Sequence, residues 1–166
     1  MKIHLVTTGG TMEKVYSEQT GLVENAASKV KRYLDLLRLP EAEIEITPAM
    51  NKDSLDMTQE DREQICAIVR NEVADAPVVI THGTDTMVET AKLLKARLEN
   101  LHYPVILTGA MAPLGFERSD GQQNLTESLF AARVLQPGVW IVMHGQVFDP
   151  DHVKKDRAQA RFVALP

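Results

Sequence analysis

The sequence predicts an α/β fold, a flavodoxin-like three-layer sandwich with helices on both faces of a mainly parallel sheet. Short apolar or β-branched runs alternate along the chain with longer segments in which apolar residues recur at helical spacing. This alternation is typical of strands and helices that follow one another in an α/β domain. No repeat or low-complexity segment interrupts it, so we expect one domain over residues 1–166.

The first predicted strand, Lys2 to Val6, runs directly into the glycine-rich turn Thr8-Gly9-Gly10-Thr11. Residues Met12 to Ala27 show no convincing periodicity and contain turn-forming residues, so they are predicted to form an extended loop. A loop of this length in a compact domain is usually functional or disordered.

A helix and a second strand follow this loop. Ser28 is a suitable N-cap for a helix that ends near Leu37, and Pro40 lies beyond its end. Residues Glu43 to Thr47 alternate polar and apolar side chains, which predicts a strand. The segment Pro48 to Met57 is predicted to be a connection.

The middle of the chain contains a helix, a buried strand and another helix. Thr58, with Asp61 three positions later, resembles a capping box that opens the first of these helices. The run Val78-Val79-Ile80 predicts a buried strand that stops at Thr81-His82-Gly83. Thr84-Asp85-Thr86 then opens the second helix.

The last part of the chain continues the alternation. Tyr103 to Leu107 is predicted to be a strand, and after a loop Asp120 is a candidate N-cap for a helix that Pro137-Gly138 ends. Val139 to Met143 is the fifth predicted strand, and Gln146 to Phe148 could add a short one. The remaining residues are mostly polar.

The order of these elements predicts where a ligand binds. Right-handed crossovers give the strand order 2-1-3-4-5, in which the first and third strands are neighbours. Open α/β sheets bind ligands at the carboxyl ends of such strands. The turns that carry Thr11 and Thr84 are therefore expected to share a crevice, where glycines allow close approach and unpaired N–H groups favour an anion.

Composition argues against several classes of protein. The chain is 44% hydrophobic, enough for a core, and its formal charge of −5 argues against a nucleic-acid partner. Cys66 is the only cysteine, and neither it nor the histidines follow a metal-binding spacing, so no disulfide, metal or cofactor is expected. Without a segment of transmembrane length or a signal-peptide pattern, we expect a cytoplasmic protein with no membrane association.

The polar residues of these segments have structural as well as functional interpretations. Thr84 and Asp85 could simply cap a helix, which is the more common use of such residues. A threonine hydroxyl is a good nucleophile only when a base takes its proton, and a partly buried lysine could be that base. Lys155 lies in a charged segment that by itself is typical of a solvated tail. Ser54 could form only a loop turn, and Tyr16 could be an exposed aromatic residue without a role.

Taken together, several segments resemble the bacterial-type L-asparaginase family, also called the asparaginase/glutaminase family. In chain order the matching motifs are Thr8-Gly9-Gly10-Thr11-Met12, Asp53-Ser54-Leu55-Asp56-Met57, Thr81-His82-Gly83-Thr84-Asp85-Thr86-Met87, Thr108-Gly109-Ala110-Met111, and Ser119-Asp120-Gly121 with Asn124-Leu125. The first motif is weak alone, whereas the third, at the end of a buried strand, is highly specific. The resemblance spans nearly the whole chain and is to the N-terminal domain of the family only.

This resemblance implies hydrolysis of the side-chain amide of L-asparagine to L-aspartate and ammonia. It implies that Thr11 is the nucleophile with Tyr16 beside it, and that Thr84, Asp85 and Lys155 form a second catalytic set. The implied substrate-binding residues are Ser54, Gly83, Thr84, Asp85 and Ala110. Family members are usually homo-oligomers, so a homodimer or homotetramer is expected.

Two features depart from the familiar family pattern. We expect no C-terminal domain, whereas in the family a partner subunit's C-terminal domain supplies an acidic residue to the site. Leu55 stands where some members have a polar side chain. Both departures predict weaker substrate binding and a raised KM.

Alternative functions remain open at this point. The domain could bind an amino acid or a small anion without turnover, or it could be a glutaminase or a component of an amidotransferase that acts on misacylated transfer RNA. Asparagine and glutamine differ by one methylene, which is worth only about 1–3 kcal/mol in a binding pocket.

Overall fold

The structure, a computed structural model, describes residues 1–25 and 30–166. Its strands are β1 (Lys2–Gly9), β2 (Lys14–Tyr16), β3 (Val23–Asn25), β4 (Glu43–Lys52), β5 (Val78–Thr81), β6 (Pro104–Thr108), β7 (Gly138–Met143), β8 (Gln146–Phe148), β9 (Val153–Asp156) and β10 (Arg161–Ala164). Its α-helices are α1 (Val30–Leu34), α2 (Gln59–Glu72), α3 (Met87–Arg97) and α4 (Gly121–Val134). In these two ranges no helix has the length and apolar character needed to cross a membrane.

The main sheet of the described residues is six-stranded, with the order β4-β1-β5-β6-β7-β8. All neighbouring strands are parallel except β7 and β8. The parallel strands, numbered along the chain, have the order 2-1-3-4-5, so the predicted α/β class and topology are confirmed. The short strand β8 is also confirmed. Because β1 and β5 are neighbours in register, Thr7 lies opposite Thr81, the last residue of β5, and β1 continues to Gly9.

Apolar clusters cover both faces of the sheet. In β5, Val78 and Ile80 pack in the cluster that contains Leu94 of α3, whereas Val79 packs in the cluster that contains Leu125 of α4. Successive side chains of a strand point to opposite faces, so both faces of β5 are buried. This is why the strand is a continuous apolar run in the sequence.

The segment predicted to be an extended loop contains a hairpin. A 3-10 turn at Thr11–Glu13 is followed by β2 and β3, which pair antiparallel, so the prediction for Met12 to Ala27 is wrong over the residues that the structure describes. Each strand has only three residues, too few to show alternation. The turn is closed by Gly21 N–H, which donates to the Ser17 carbonyl at 2.8 Å.

Two further boundaries differ from prediction. β4 continues through Pro48 to Lys52, so the predicted connection begins later. Proline is tolerated because β4 is an edge strand, where a missing N–H does not break a ladder on both sides. Ser28 lies outside the described residues, and α1 ends at Leu34 rather than near Leu37.

The final polar segment is a hairpin and not a solvated tail. Phe162 of β10 is buried, with its ring centroid 6.5 Å from that of Phe148, and Val153 joins the same core cluster. Lys155 pairs with Phe162 across the hairpin, so the two side chains share its inner face. Lys154 belongs to the outer face and is exposed.

The turns after β1 and β5 touch through their glycines. Gly10 has a φ of +76°, and a Cβ on it would lie 2.5 Å from the Cα and N atoms of Gly83. A side chain at position 10 would therefore push the two turns apart. This contact requires glycine on both geometric and steric grounds.

His82, at the end of β5, is fully buried and hydrogen-bonded on both ring nitrogens. Its Nδ1–H donates to the Gly83 carbonyl at 2.8 Å, because a carbonyl can only accept. In the neutral ring Nε2 then accepts from the Thr90 hydroxyl of α3 at 2.9 Å. Burial lowers the pKa of His82 to about 4, so the neutral ring holds the turn after β5 against α3 at pH 7.

The neutral His82 predicts a loss of stability in mild acid. The unfolded chain takes up a proton on this ring below its ordinary pKa of 6.5, whereas the folded chain does so only near 4. This contribution to the free energy of unfolding is complete above pH 6.5 and falls by roughly 3 kcal/mol between these two values. Urea unfolding at several pH values should show this slope in wild type and in the exposed-site control His102→Gln, but not in His82→Gln. An unchanged slope in His82→Gln would contradict the assignment.

The Gly10 contact predicts a large cost for adding a methyl group. Gly10→Ala should lower the free energy of unfolding by about 2 kcal/mol or more, because the backbone of Gly83 cannot move aside easily. Gly21 is a matched control, since its φ is +70° but nothing lies within 4 Å of its added Cβ. Gly21→Ala should cost only about 1 kcal/mol, the backbone term alone. Equal costs in urea unfolding would show that the contact is unimportant.

Candidate active site

Thr11 and Thr84 lie at neighbouring strand ends. Each follows one of the two touching glycines, Gly10 in the turn after β1 and Gly83 in the turn after β5. Thr84 is only 4% exposed, whereas Thr11 is half-buried. The topology predicted from the sequence therefore places both turns at the same edge of the sheet.

Lys155 joins the turn after β5. Its Nζ donates to Thr84 Oγ1 at 2.7 Å and to Asp85 Oδ1 at 3.1 Å. The side chains of Lys155 and Asp85 are 18% and 24% exposed. Partial exclusion of water makes such a contact stronger than a surface ion pair, which is worth about 1 kcal/mol or less. The structure thus assembles the predicted hydroxyl, amine and carboxylate from two distant segments.

Arg157 adds a second cation that the sequence did not indicate. Its Nη2 lies 2.7 Å from the same Oδ1 of Asp85 that Lys155 contacts. The only signal in the sequence is its position two residues after Lys155. A metal ion would compete with two cations already on Asp85, so these residues suit hydrogen bonding and proton transfer better than metal binding.

Ser54 packs against the same turn. A Cβ on Gly83 would lie 2.5 Å from Ser54 Oγ, so only glycine at position 83 leaves room for the Ser54 side chain. Thr86 Oγ1 donates to the Ser54 carbonyl at 2.8 Å, and Thr86 N–H donates to Ser54 Oγ at 3.4 Å. Thr86 is the residue before α3 and makes no side-chain capping bond. The hydroxyl and carboxylate of Thr84 and Asp85 therefore contact Lys155 instead of serving as the cap of α3.

The first hairpin is tied to the Ser54 segment by an ion pair. Lys14 of β2 lies with Nζ 2.5 Å from Asp53 Oδ2, and Asp53 Oδ1 accepts from Leu55 N–H at 3.1 Å. The Lys14 ammonium holds the pKa of Asp53 below its usual range against the effect of burial, and the charge of Lys155 acts in the same direction. The cationic and anionic groups of this edge therefore influence one another.

Asp120 holds the loop after β6. Its carboxylate accepts from Met111 N–H at 2.9 Å, Ala112 N–H at 3.0 Å, Asn124 Nδ2 at 2.9 Å and His144 Nε2 at 2.7 Å. Burial alone would raise the pKa of Asp120, but these donors together lower it. Asp120 precedes α4 as predicted, yet its side chain makes no capping bond because it serves this loop.

The remaining predicted residues differ in their surroundings. Ala110, in the loop held by Asp120, has a fully buried side chain, so any contact with a ligand would use its backbone. Tyr16 on β2 is 58% exposed. A hollow of about 270 Å³ lies beside the Lys155 contact, and its lining does not include Thr11 or Tyr16. It is lined by Asp85, Val88, Glu89, Val153, Lys154, Lys155 and Arg157.

Comparison with known sequences gives a consistent set of relatives. A family model described as Asparaginase, N-terminal, matches residues 2–163. L-asparaginase 1 of Escherichia coli (strain K12) is 42% identical over 138 residues, which cover 78% of this chain and 40% of the relative. A glutamyl-tRNA(Gln) amidotransferase subunit of Methanococcus vannielii is 32% identical over 154 residues, which cover 89% of this chain and 35% of the relative.

Comparison with solved structures extends the match to the fold. The thermostable L-asparaginase from Thermococcus kodakarensis superposes with a TM-score of 0.88 at 30% identity, covering 99% of this chain and 51% of that one. The chain thus spans about half the length of this structure and less than half of the two sequence relatives. The match includes every segment that contributes to the site. By sequence and by fold, the chain belongs to the asparaginase family and matches the N-terminal domain of that family.

Proposed function

We propose that this chain hydrolyses the side-chain amide of L-asparagine to L-aspartate and ammonia, with Thr11 as the nucleophile. The observation that supports this most directly is the contact of the Lys155 amine with Thr84 and Asp85, beside the turn that carries Thr11. A threonine hydroxyl needs a base to become nucleophilic, and an amine within hydrogen-bonding distance of a hydroxyl can provide one.

In the proposed reaction Thr11 Oγ attacks the amide carbon, its proton passes by way of Thr84 to a neutral Lys155 amine, and an electron pair of the carbonyl moves to the carbonyl oxygen. Collapse of this tetrahedral intermediate breaks the C–N bond, and Lys155 returns this proton to the leaving nitrogen, which departs as ammonia. The acyl group stays on Thr11 as an ester until water attacks it and releases L-aspartate. Hydrogen bonds from the N–H groups of the turns stabilise the oxygen anion in both steps.

Lys155 and Thr84 carry the proton in this scheme. When Lys155 is an ammonium, it donates to Thr84 Oγ1, and the hydroxyl hydrogen of Thr84 is directed towards another acceptor. When Lys155 is neutral, its Nζ can accept that hydrogen from Thr84. Asp85 and its second cation, Arg157, keep the amine in position.

Substrate binding is assigned to the groups around this set. Lys155 and Arg157 both use Oδ1 of Asp85, and we assign Oδ2 to the ammonium of the amino acid. The Ser54 hydroxyl and the N–H groups of the turn at Gly83 are assigned to its carboxylate, because both are hydrogen-bond donors. Ala110 would contribute through its backbone. The side chain of Tyr16 is mostly exposed, so its assignment beside Thr11 rests on the family resemblance.

The proposal predicts a sharp difference between two adjacent lysines. Lys155→Met should lower kcat for ammonia release from L-asparagine by about 100-fold or more, the usual effect of losing a proton-transfer group. Lys154→Met removes the same charge from the adjacent position and should lower kcat far less, because the contacts with Thr84 and Asp85 come from Lys155. Thr11→Val, which replaces the hydroxyl by a methyl group of similar volume, should abolish turnover.

Ammonia release by the purified chain, with thermal unfolding of each variant as a folding control, tests this prediction. Equal rates for Thr11→Val and wild type would exclude Thr11 as the nucleophile. If no variant and no wild-type sample releases ammonia while calorimetry shows binding of asparagine or aspartate, the domain is a binding module.

The match to an amidotransferase component supports a second candidate function, namely supply of ammonia for an amidotransferase reaction. The same residues would carry the chemistry, since that reaction also begins with an amide. The formal charge of −5 weighs against direct contact with transfer RNA. Comparing L-glutamine with L-asparagine as ammonia donors, with and without misacylated transfer RNA, separates the two functions.

We also propose that the chain forms a homodimer or homotetramer. Phe130 and Val134 of α4 and Val147 of β8 are exposed large apolar side chains that line one groove, and such a surface favours association. Phe130→Lys should shift the mass measured by light scattering towards that of the monomer, whereas a monomeric wild type would contradict the proposal. The cytoplasmic location remains a prediction from composition.

A further inference from the structure

One histidine and two glutamates meet at the end of the sheet opposite the candidate active site. His4 of β1 pairs with Glu45 of β4 on one side and with Val78, the first residue of β5, on the other. Glu72 is the last residue of α2. One possible ligand atom from each of these three residues lies within 4.8 Å of the other two.

The buried position of the His4 ring and its contacts are the main observation. Its side chain is only 4% exposed, and Nε2 lies 2.8 Å from Asp75 Oδ1. A carboxylate only accepts, so Nε2 carries a hydrogen, and a ring with that one hydrogen has its lone pair on Nδ1. This Nδ1 is buried and has no hydrogen-bond partner among the described residues.

The surroundings of Nδ1 are carboxylate oxygens. Glu72 Oε2 lies 2.5 Å away and Glu45 Oε2 lies 3.4 Å away. The Glu72 oxygen is close but lies off the direction in which Nδ1 could donate, so the short distance is not a hydrogen bond. A nitrogen and two carboxylates in this arrangement need a positive charge among them, either a proton on Nδ1 or a metal ion.

The atoms of these side chains that point away from the cluster already have partners in the structure. Asp75 orients the His4 ring in the way that carboxylates orient metal-binding histidines. The Thr47 hydroxyl donates to Glu72 Oε1 at 3.0 Å, which leaves Oε2 directed towards His4. Lys2 lies 2.9 Å from Asp75 Oδ2 and 3.1 Å from Glu45 Oε2, so its ammonium would compete with a metal ion for Glu45.

We propose that His4 Nδ1, Glu45 and Glu72 bind a divalent first-row transition-metal ion of the Zn²⁺ class. One imidazole nitrogen with two carboxylate oxygens suits Zn²⁺ or Co²⁺, whereas Mg²⁺ and Ca²⁺ prefer oxygen ligands alone. Metal–ligand distances of about 2.0–2.2 Å require the Glu72 oxygen to move by about 1 Å from Nδ1. The bound ion would link β1, β4 and the end of α2, so its effect is on stability and not on the reaction.

Zinc titration of the full chain tests this site. The protein is prepared without an affinity tag, treated with EDTA and titrated with Zn²⁺ by calorimetry. We expect one equivalent to bind and the melting temperature to rise, because the ion binds the folded state preferentially. Co²⁺ should give visible absorption bands that Zn²⁺ removes.

Variants locate the ion. Glu45→Gln should weaken Zn²⁺ binding at least tenfold, and it should fold because the Glu45 side chain is 52% exposed. Glu43→Gln, on the same edge strand and also exposed, removes the same charge and should bind as wild type does. Lys2→Met, which removes the competing cation, should bind Zn²⁺ more tightly.

Several results would overturn the assignment. Absence of saturable binding would show that there is no site. Equal affinity in wild type and Glu45→Gln would place the ion elsewhere. A ¹⁵N spectrum in which both ring nitrogens of His4 carry hydrogens and do not respond to Zn²⁺ would show that the cluster is an ion-pair network. None of these experiments measures amide hydrolysis, so their result is independent of the proposed function.

Discussion

The backbone contact between Gly10 and Gly83 is the constraint on which the candidate site depends. β1 runs two residues beyond its last pair with β5, Thr7 with Thr81, and the turns that follow can touch because Gly10 and Gly83 have no side chains. The residue after each glycine is a threonine, so the contact brings Thr11 and Thr84 to one edge of the sheet. Ser54 completes the arrangement by packing where a Cβ of Gly83 would be.

A second constraint is the apolar anchor of the last hairpin. Burying a phenylalanine is worth about 1.5–3 kcal/mol, more than a partly exposed ion pair. The position of Lys155 is therefore set mainly by Phe162, which packs against Phe148, and only secondarily by its contact with Asp85. Because Lys155 and Phe162 share the inner face of the hairpin, the apolar contact also sets the direction of the amine.

The two polar clusters of the fold differ in their balance of charge. At the carboxyl ends of the strands, Asp85 is contacted by two cations, and Asp53 is paired with Lys14. At the opposite end, His4 and Lys2 are surrounded by Glu45, Glu72 and Asp75. The first cluster has more cations than anions, whereas the second has more carboxylates than cations and suits a bound cation.

The sequence by itself determined the α/β class, the strand order and the place of Thr11 and Thr84, because these follow from local periodicity and from the handedness of crossovers. The sequence also predicted the capping box of Thr58 and Asp61, because both residues belong to one turn of helix. The role of the Asp120 side chain was decided only by the tertiary structure, because donors from the loop after β6, from α4 and from the residue after β7 compete with its capping role.

The same distinction applies to the site. Lys155 lies 71 residues from Thr84, and no periodicity distinguishes it from Lys154 or indicates the role of Arg157. The resemblance to a family pointed to Lys155, but its inward direction came from the pairing of β9 with β10. His4, Glu45 and Glu72 likewise form a cluster only when β1, β4 and α2 are packed together, because contacts between distant segments depend on packing and not on spacing.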